Sequence, residues 1–120
     1  MSLQQATAPR EHRRPGESRI VCDRPLPIVP LGHDPEQPMT AQLTDCSLQG
    51  LGLMTSDPLE PGGQFTVQLD LGHPTRLLYT VRYCIPMATN QFRVGATFTG
   101  YAASTFQGQL SDVLDALTSR

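Results

Sequence analysis

An all-β domain, a sandwich or a barrel with one helix added at its end, is the fold class this sequence predicts. Two patterns carry that expectation. Between residues 39 and 98 apolar side chains recur at every second position, in short runs separated by turn residues, which is the period of half-buried antiparallel strands. Near the end of the chain the period changes to that of an amphipathic helix. At 120 residues the chain suits one domain whose core folds without disulfides or metals.

The elements follow in order. Residues 1–18 are rich in Gln, Pro, Arg and Glu and show neither period, so they read as a flexible arginine-rich N-terminal arm that orders on a ligand. Residues 19–120 read as the single folded domain. Arg19-Ile20-Val21-Cys22-Asp23 suits a first strand. Pro25, Pro27, Pro30, Pro35 and Pro38 then exclude a central strand or a helix interior, leaving Leu26, Ile28, Val29 and Leu31 to pack along an edge. Residues 32–38 suit an exposed loop. Thr40 to Thr44 and Leu51 to Thr55 are strand candidates on either side of a polar hexapeptide, and Pro58 with Pro61-Gly62-Gly63 marks a turn. Phe65, Val67, Leu69 and Leu71 alternate with polar residues, as do Phe92, Val94, Ala96 and Phe98. Leu77, Tyr79, Val81, Tyr83 and Ile85 form the run between them, bounded by Gly72-His73-Pro74 and by residues 86–90. Finally Phe106, Leu110, Val113, Leu114 and Leu117 line one helical face, with Ser104 and Gln107 spaced as a capping box.

Composition narrows the function. No run approaches the eighteen apolar residues of a membrane span, and no short hydrophobic leader opens the chain, so a cytoplasmic protein without membrane insertion is expected. Three widely spaced cysteines, Cys22, Cys46 and Cys84, suit reduced thiols better than a disulfide framework. A formal net charge of −2 repels DNA and RNA as a whole-molecule field, and neither is an expected partner. All nine basic residues are arginine, and five of them fall within the first 24 positions.

Catalysis finds little support. His12, His33 and His73 lie in separate predicted loops, Ser47 and Asp45 lack a histidine base, and Cys22, His33 and Cys46 lack metal-ligand spacing. A non-enzyme without metal or cofactor is expected. Asp112 and Asp115 suit the solvated face of the last helix.

Binding finds more. In Asp45-Cys46-Ser47-Leu48-Gln49-Gly50 an extended backbone points Asp45 and Ser47 to one face and Cys46 to the other. Gly50 lets the backbone turn or approach a ligand without a Cβ in the way. Upstream stand Arg10, Arg13, Arg14 and Arg19, whose guanidinium groups stack on aromatic planes and fork onto phosphate. Together they suit a flat, hydrogen-bonding, anionic ligand.

An RxxxR pair (Arg10 with Arg14), then DxSxxG (Asp45 to Gly50) about thirty residues later, then a β body ending in Phe92-Arg93-Val94-Gly95-Ala96-Thr97-Phe98 and a helix: this order resembles the PilZ domain, a family of bacterial receptors for cyclic di-GMP. The resemblance covers about residues 10 to 117. It implies a six-stranded antiparallel β-barrel with a C-terminal α-helix, and a ligand rather than a cofactor, cyclic di-GMP. Arg10 and Arg14 would clamp the nucleotide as the arm closes. Asp45 would accept the ring N–H and exocyclic amine of guanine, Ser47 would bond phosphate or base, and Gly50 would leave room. In the family the second arginine usually stands close before the first strand. Here Pro15-Gly16-Glu17-Ser18 intervene, so Arg14 with Arg19 is the alternative pair and Arg13 a further member. Output would pass through an unidentified effector protein. The rival expectation is a PilZ-like interaction module that binds no nucleotide.

Overall fold

The alternating segments form six antiparallel strands: β1 (Ile20–Pro30), β2 (Met39–Cys46), β3 (Gly50–Thr55), β4 (Gln64–Asp70), β5 (Pro74–Ala88) and β6 (Gln91–Ala103). They close into a barrel in the order β1-β2-β3-β6-β5-β4, with β1 meeting β4 at the seam. A single helix, α1 (Leu110–Thr118), follows. The computed structural model describes residues 19–34, 36–72, 74–103 and 110–118. The expected arm, the expected helix cap and Phe106 lie outside them.

Each strand sends alternate side chains inward, as a closed antiparallel sheet requires. Leu26 and Ile28, Leu43, Leu51 and Leu53, Phe65 and Val67, Leu77 and Tyr79, and Val94 are all buried in one core. Phe65 stacks on Tyr79 at 5.7 Å between ring centroids, and Tyr79 meets the edge of Phe98 at 5.6 Å. The helix adds Val113 and Leu117 to the same core and packs against β4 and β2. Arg24 on β1 holds its far end, where Nη1 donates to the carbonyls of Ala116 and Leu117 at 3.1 Å each. A guanidinium there satisfies two carbonyls that have no partner within the helix and sits at the negative end of its dipole.

Two expectations are corrected. The first strand does not stop at Asp23 but runs on through Pro25, Pro27 and Pro30. Pro25 and Pro27 pair with Gln42 and Thr40 of β2, while β4 reaches β1 only at Val29 and Pro30. Over most of its length β1 therefore has one neighbour, and a proline whose nitrogen faces the open side removes no ladder bond. The second correction concerns β5. Its register with β6 slips between Val81 and Tyr83, and this bulge reverses the alternation. Val81 is buried, whereas Tyr83 and Ile85, expected on the same face, are 42% and 47% exposed. The strand also continues past Pro86 to a tight turn where Asn90 takes a positive φ of 57°.

Arg24→Ala should lower stability by about 1–2 kcal/mol, because it removes the cation from the end of α1. Urea unfolding of the two proteins measures the difference, and an unchanged midpoint would show that α1 is held by packing alone.

Candidate functional site

The DxSxxG hexapeptide forms the end of β2 and the turn into β3. The Ser47 N–H donates to the Gly50 carbonyl at 2.9 Å, and the Gln49 N–H donates to Ser47 Oγ at 3.2 Å. This is a hydroxyl-stabilised turn, and the serine that makes it is buried. Across the turn, the Phe98 N–H of β6 donates to the Gln49 carbonyl at 2.7 Å. Gly50 pairs with Thr97, and a Cβ on Gly50 would run into the Ala96 carbonyl oxygen. The space beside this glycine is thus filled by the backbone of β6.

Asp45 stands just before that turn, where the ladder is irregular on both sides. The β2–β3 register slips between Leu43 and Asp45, and the β1–β2 register slips between Val21 and Arg24. Leu43 and Cys46, three positions apart, are both fully buried. Strict alternation cannot do this; the extra residue of a bulge can. Asp45 is left half-buried, and its carboxylate lies over Gly52, its partner on β3. A Cβ on Gly52 would stand 2.6 Å from Asp45 Oδ1. Arg19 reaches the same oxygen from the start of β1, through Nε at 3.0 Å and Nη2 at 2.6 Å. The two side chains remain 32% and 20% exposed, Arg19 and Asp45 respectively, so solvent screens the pair.

The register extends this pair into a row. Asp45 opposes Gly52, Gly52 opposes Gly95, and Gly95 opposes Tyr83. A Cβ on Gly95 would strike the Tyr83 ring. Two inner strands therefore contribute bare backbone, and the strands flanking them lay a carboxylate and a phenol over it. The result is a row on the outer wall, with Asp45 and Arg19 at one end and an exposed aromatic ring at the other. Such a surface can accept hydrogen bonds from a planar ligand at one end and stack against it at the other.

Next to Asp45, Cys46 points into the barrel. Burial, then a hydrogen bond with Cys22, push its thiol up to about 12. Among the described residues, no group of three or more His, Cys, Asp or Glu side chains is placed to hold a metal ion. No described helix is long and apolar enough to cross a membrane.

Compared with family profiles, residues 8–114 match the PilZ domain. The chain belongs to the PilZ domain family. Two solved structures are similar to this PilZ domain. One is the Bacillus subtilis inhibitor of motility MotI/DgrA, with 18% identity, a TM-score of 0.56, and coverage of 94% of this chain and 57% of that one. The other is K. pneumonia MrkH in its apo state, with 15% identity, a TM-score of 0.57, and coverage of 96% and 53%. Both likenesses concern the fold. The chain spans little more than half the length of either protein. A comparison with curated proteins found no match.

Of the residues singled out by sequence, the structure of this PilZ domain brings Arg19 and Asp45 together and sets Ser47 and Gly50 in the adjoining turn. Ser47 does not stand beside Asp45 as a second outward acceptor, because its oxygen is turned to the Gln49 N–H. Arg10, Arg13 and Arg14 lie outside the described residues. Sequence reasoning missed Gly52, Gly95 and Tyr83. The spacing Gly50-Leu51-Gly52 was an available signal, since alternate glycines on a strand bare one face.

Two outcomes follow from this geometry. Gly50→Ala forces a Cβ against a backbone oxygen that no rotamer change can relieve, and should cost about 1–3 kcal/mol in denaturant unfolding. Stability should also fall as pH rises from about 9 to about 12. In that window the unfolded chain has lost the Cys46 proton and the folded chain keeps it, so the unfolded state binds fewer protons. The contribution is fully present below pH 9. Cys46→Ala should flatten part of this decline, read from unfolding midpoints at pH 8 and pH 10.

Proposed function

We propose that this PilZ domain is a non-catalytic receptor for cyclic di-GMP, and that it passes the signal to an effector protein when the segment preceding β1 orders over the bound nucleotide. The observation that carries this reading is the Asp45–Gly52–Gly95–Tyr83 row with Arg19 forked onto Asp45. A guanine offers two adjacent donors on one edge, the ring N–H and the exocyclic amine, and a carboxylate is the side chain that accepts both. Asp45 would repel a phosphate, so its target is the base edge. The phosphates fall to the arginines.

Arg19 is bonded to Asp45, and Arg10, Arg13 and Arg14 precede it by five to nine residues along the chain. In this reading Arg10 and Arg14, or Arg14 and Arg19, clamp the ligand through forked phosphate bonds and stacking on guanine. Arg19 would then exchange Asp45 for phosphate, releasing the carboxylate to the base. Gly52 and Gly95 let the Asp45 carboxylate and the Tyr83 ring lie close on the wall, and a flat base would settle against those two side chains. Ser47 and Gly50 shape the turn that holds Asp45, with the Ser47 hydroxyl proton still able to reach an acceptor.

Calorimetry with cyclic di-GMP tests the reading on the intact chain. Saturable binding is expected, weakened about ten- to a hundredfold by Asp45→Ala and by Arg14→Ala, since each removes charge-assisted bonds worth about 1.5–3 kcal/mol. Asp45→Asn should weaken it nearly as much, because an amide can accept from only one of the two guanine donors. Absence of heat from a folded sample at high ligand concentration would sink the proposal and leave an interaction module that binds no nucleotide.

A further inference from the structure

Two thiols on neighbouring strands have no part in the reading above. Cys22 on β1 and Cys46 on β2 place their sulfurs 3.4 Å apart. They are not direct cross-strand partners, for Cys46 is paired with Ile20. The bulge after Val21 brings Cys22 over to it. Cys22 is half-buried and Cys46 fully buried, so a small oxidant meets Cys22 first. The third thiol, Cys84, stands on β5 and accepts the Leu59 N–H at 3.4 Å. A disulfide bond is about 2.0 Å long, and closing the gap asks for little more than an ångström of movement. That movement falls at the one place on β1 where the ladder with β2 is already irregular.

We propose that Cys22 and Cys46 form a reversible redox pair that closes to a disulfide when a hydroperoxide oxidises Cys22, and that closure holds Arg19 on Asp45. In the first step the Cys22 sulfur attacks the peroxide oxygen, breaking the O–O bond to give a sulfenic acid and one alcohol or water. In the second the Cys46 sulfur attacks the sulfenic sulfur. The S–O bond breaks, and its oxygen leaves as water with the proton from Cys46. One peroxide is reduced by two electrons and two thiols become one disulfide. A thiol reductant reverses the change.

The consequence for the site follows from position, and this half rests on the receptor reading. Cys22 is three residues after Arg19, and Cys46 is next to Asp45. A bond between them pins the start of β1 to the end of β2 and removes the slack by which Arg19 could leave Asp45 for a ligand. The oxidised protein should therefore bind cyclic di-GMP more weakly.

The test treats the full chain with hydrogen peroxide and reads three quantities. Mass spectrometry should show a loss of two hydrogens, with a Cys22–Cys46 cross-linked peptide in the digest. The Tm should rise by on the order of 10 °C, as expected for a bond closing a loop of this length. Both changes should be absent in Cys22→Ser, present in Cys84→Ser, and reversed by dithiothreitol. The Kd for cyclic di-GMP should be at least threefold weaker in the oxidised wild type than in the reduced one, and unchanged by peroxide in Cys22→Ser. Failure of the cross-link to form, or its formation through Cys84, would overturn the redox pair. A cross-linked protein whose Kd is equal or tighter would overturn its control of the site. If neither form binds the nucleotide, the receptor reading falls and takes that control with it, while mass and Tm still decide the pair.

Discussion

The close approach of β3 and β6 is the constraint on which the rest of this barrel depends. Gly50 fits against the Ala96 carbonyl, and Gly52 faces Gly95 across the ladder. A side chain at Gly50 would push β6 away, and side chains at Gly52 and Gly95 would displace Asp45 and Tyr83. Without them, the neighbouring strands can lay Asp45 and Tyr83 inward over bare backbone. The core and the Asp45–Tyr83 row thus lie on opposite faces of the same strand pair. Inside it, Leu51, Leu53, Val94 and Ala96 pack from the two strands; outside it, the glycines make room for Asp45 and Tyr83.

The β2–β3 turn shows how one hexapeptide serves both stability and site. Ser47 closes the turn through its backbone and its hydroxyl, and Gln49 ties the turn to β6 through its carbonyl. These bonds leave Asp45 with a defined orientation beside a bulge. A carboxylate at a regular strand position would stand straight out into solvent. Here it leans over Gly52 and meets Arg19. The bulges on β1 and β2 turn a carboxylate toward a glycine and bring two thiols within reach behind it.

Much of the fold was legible because burial on a strand follows a period of two. Phe65, Val67 and Leu69 of β4 lie inside as their spacing requires. Val113 and Leu117, four apart, face the barrel from α1. Reading failed where a register slips. Tyr83 has the same parity as Val81 and yet is exposed, because one extra residue rotates the strand. It failed again at Pro25 and Pro27, since whether a proline is tolerated depends on which neighbour the strand lacks. Of the site, Asp45, Arg19 and the turn residues could be read from charge and motif. Gly52, Gly95 and Tyr83 could not be joined to them, because they come from three strands and meet only through the ladder.

By itself the sequence determined the class of structure, the motif at the β2–β3 turn and membership of the PilZ domain family. These rest on local properties: periodicity, turn residues and the order of charged groups along the chain. Only the tertiary structure decided which residues share the wall with Asp45, which of the arginines described there meets it, and that Cys22 lies against Cys46. Each of those is a contact between different strands, and its register is set by bulges that no single strand announces. Strand period is a property of the chain; register is a property of the barrel.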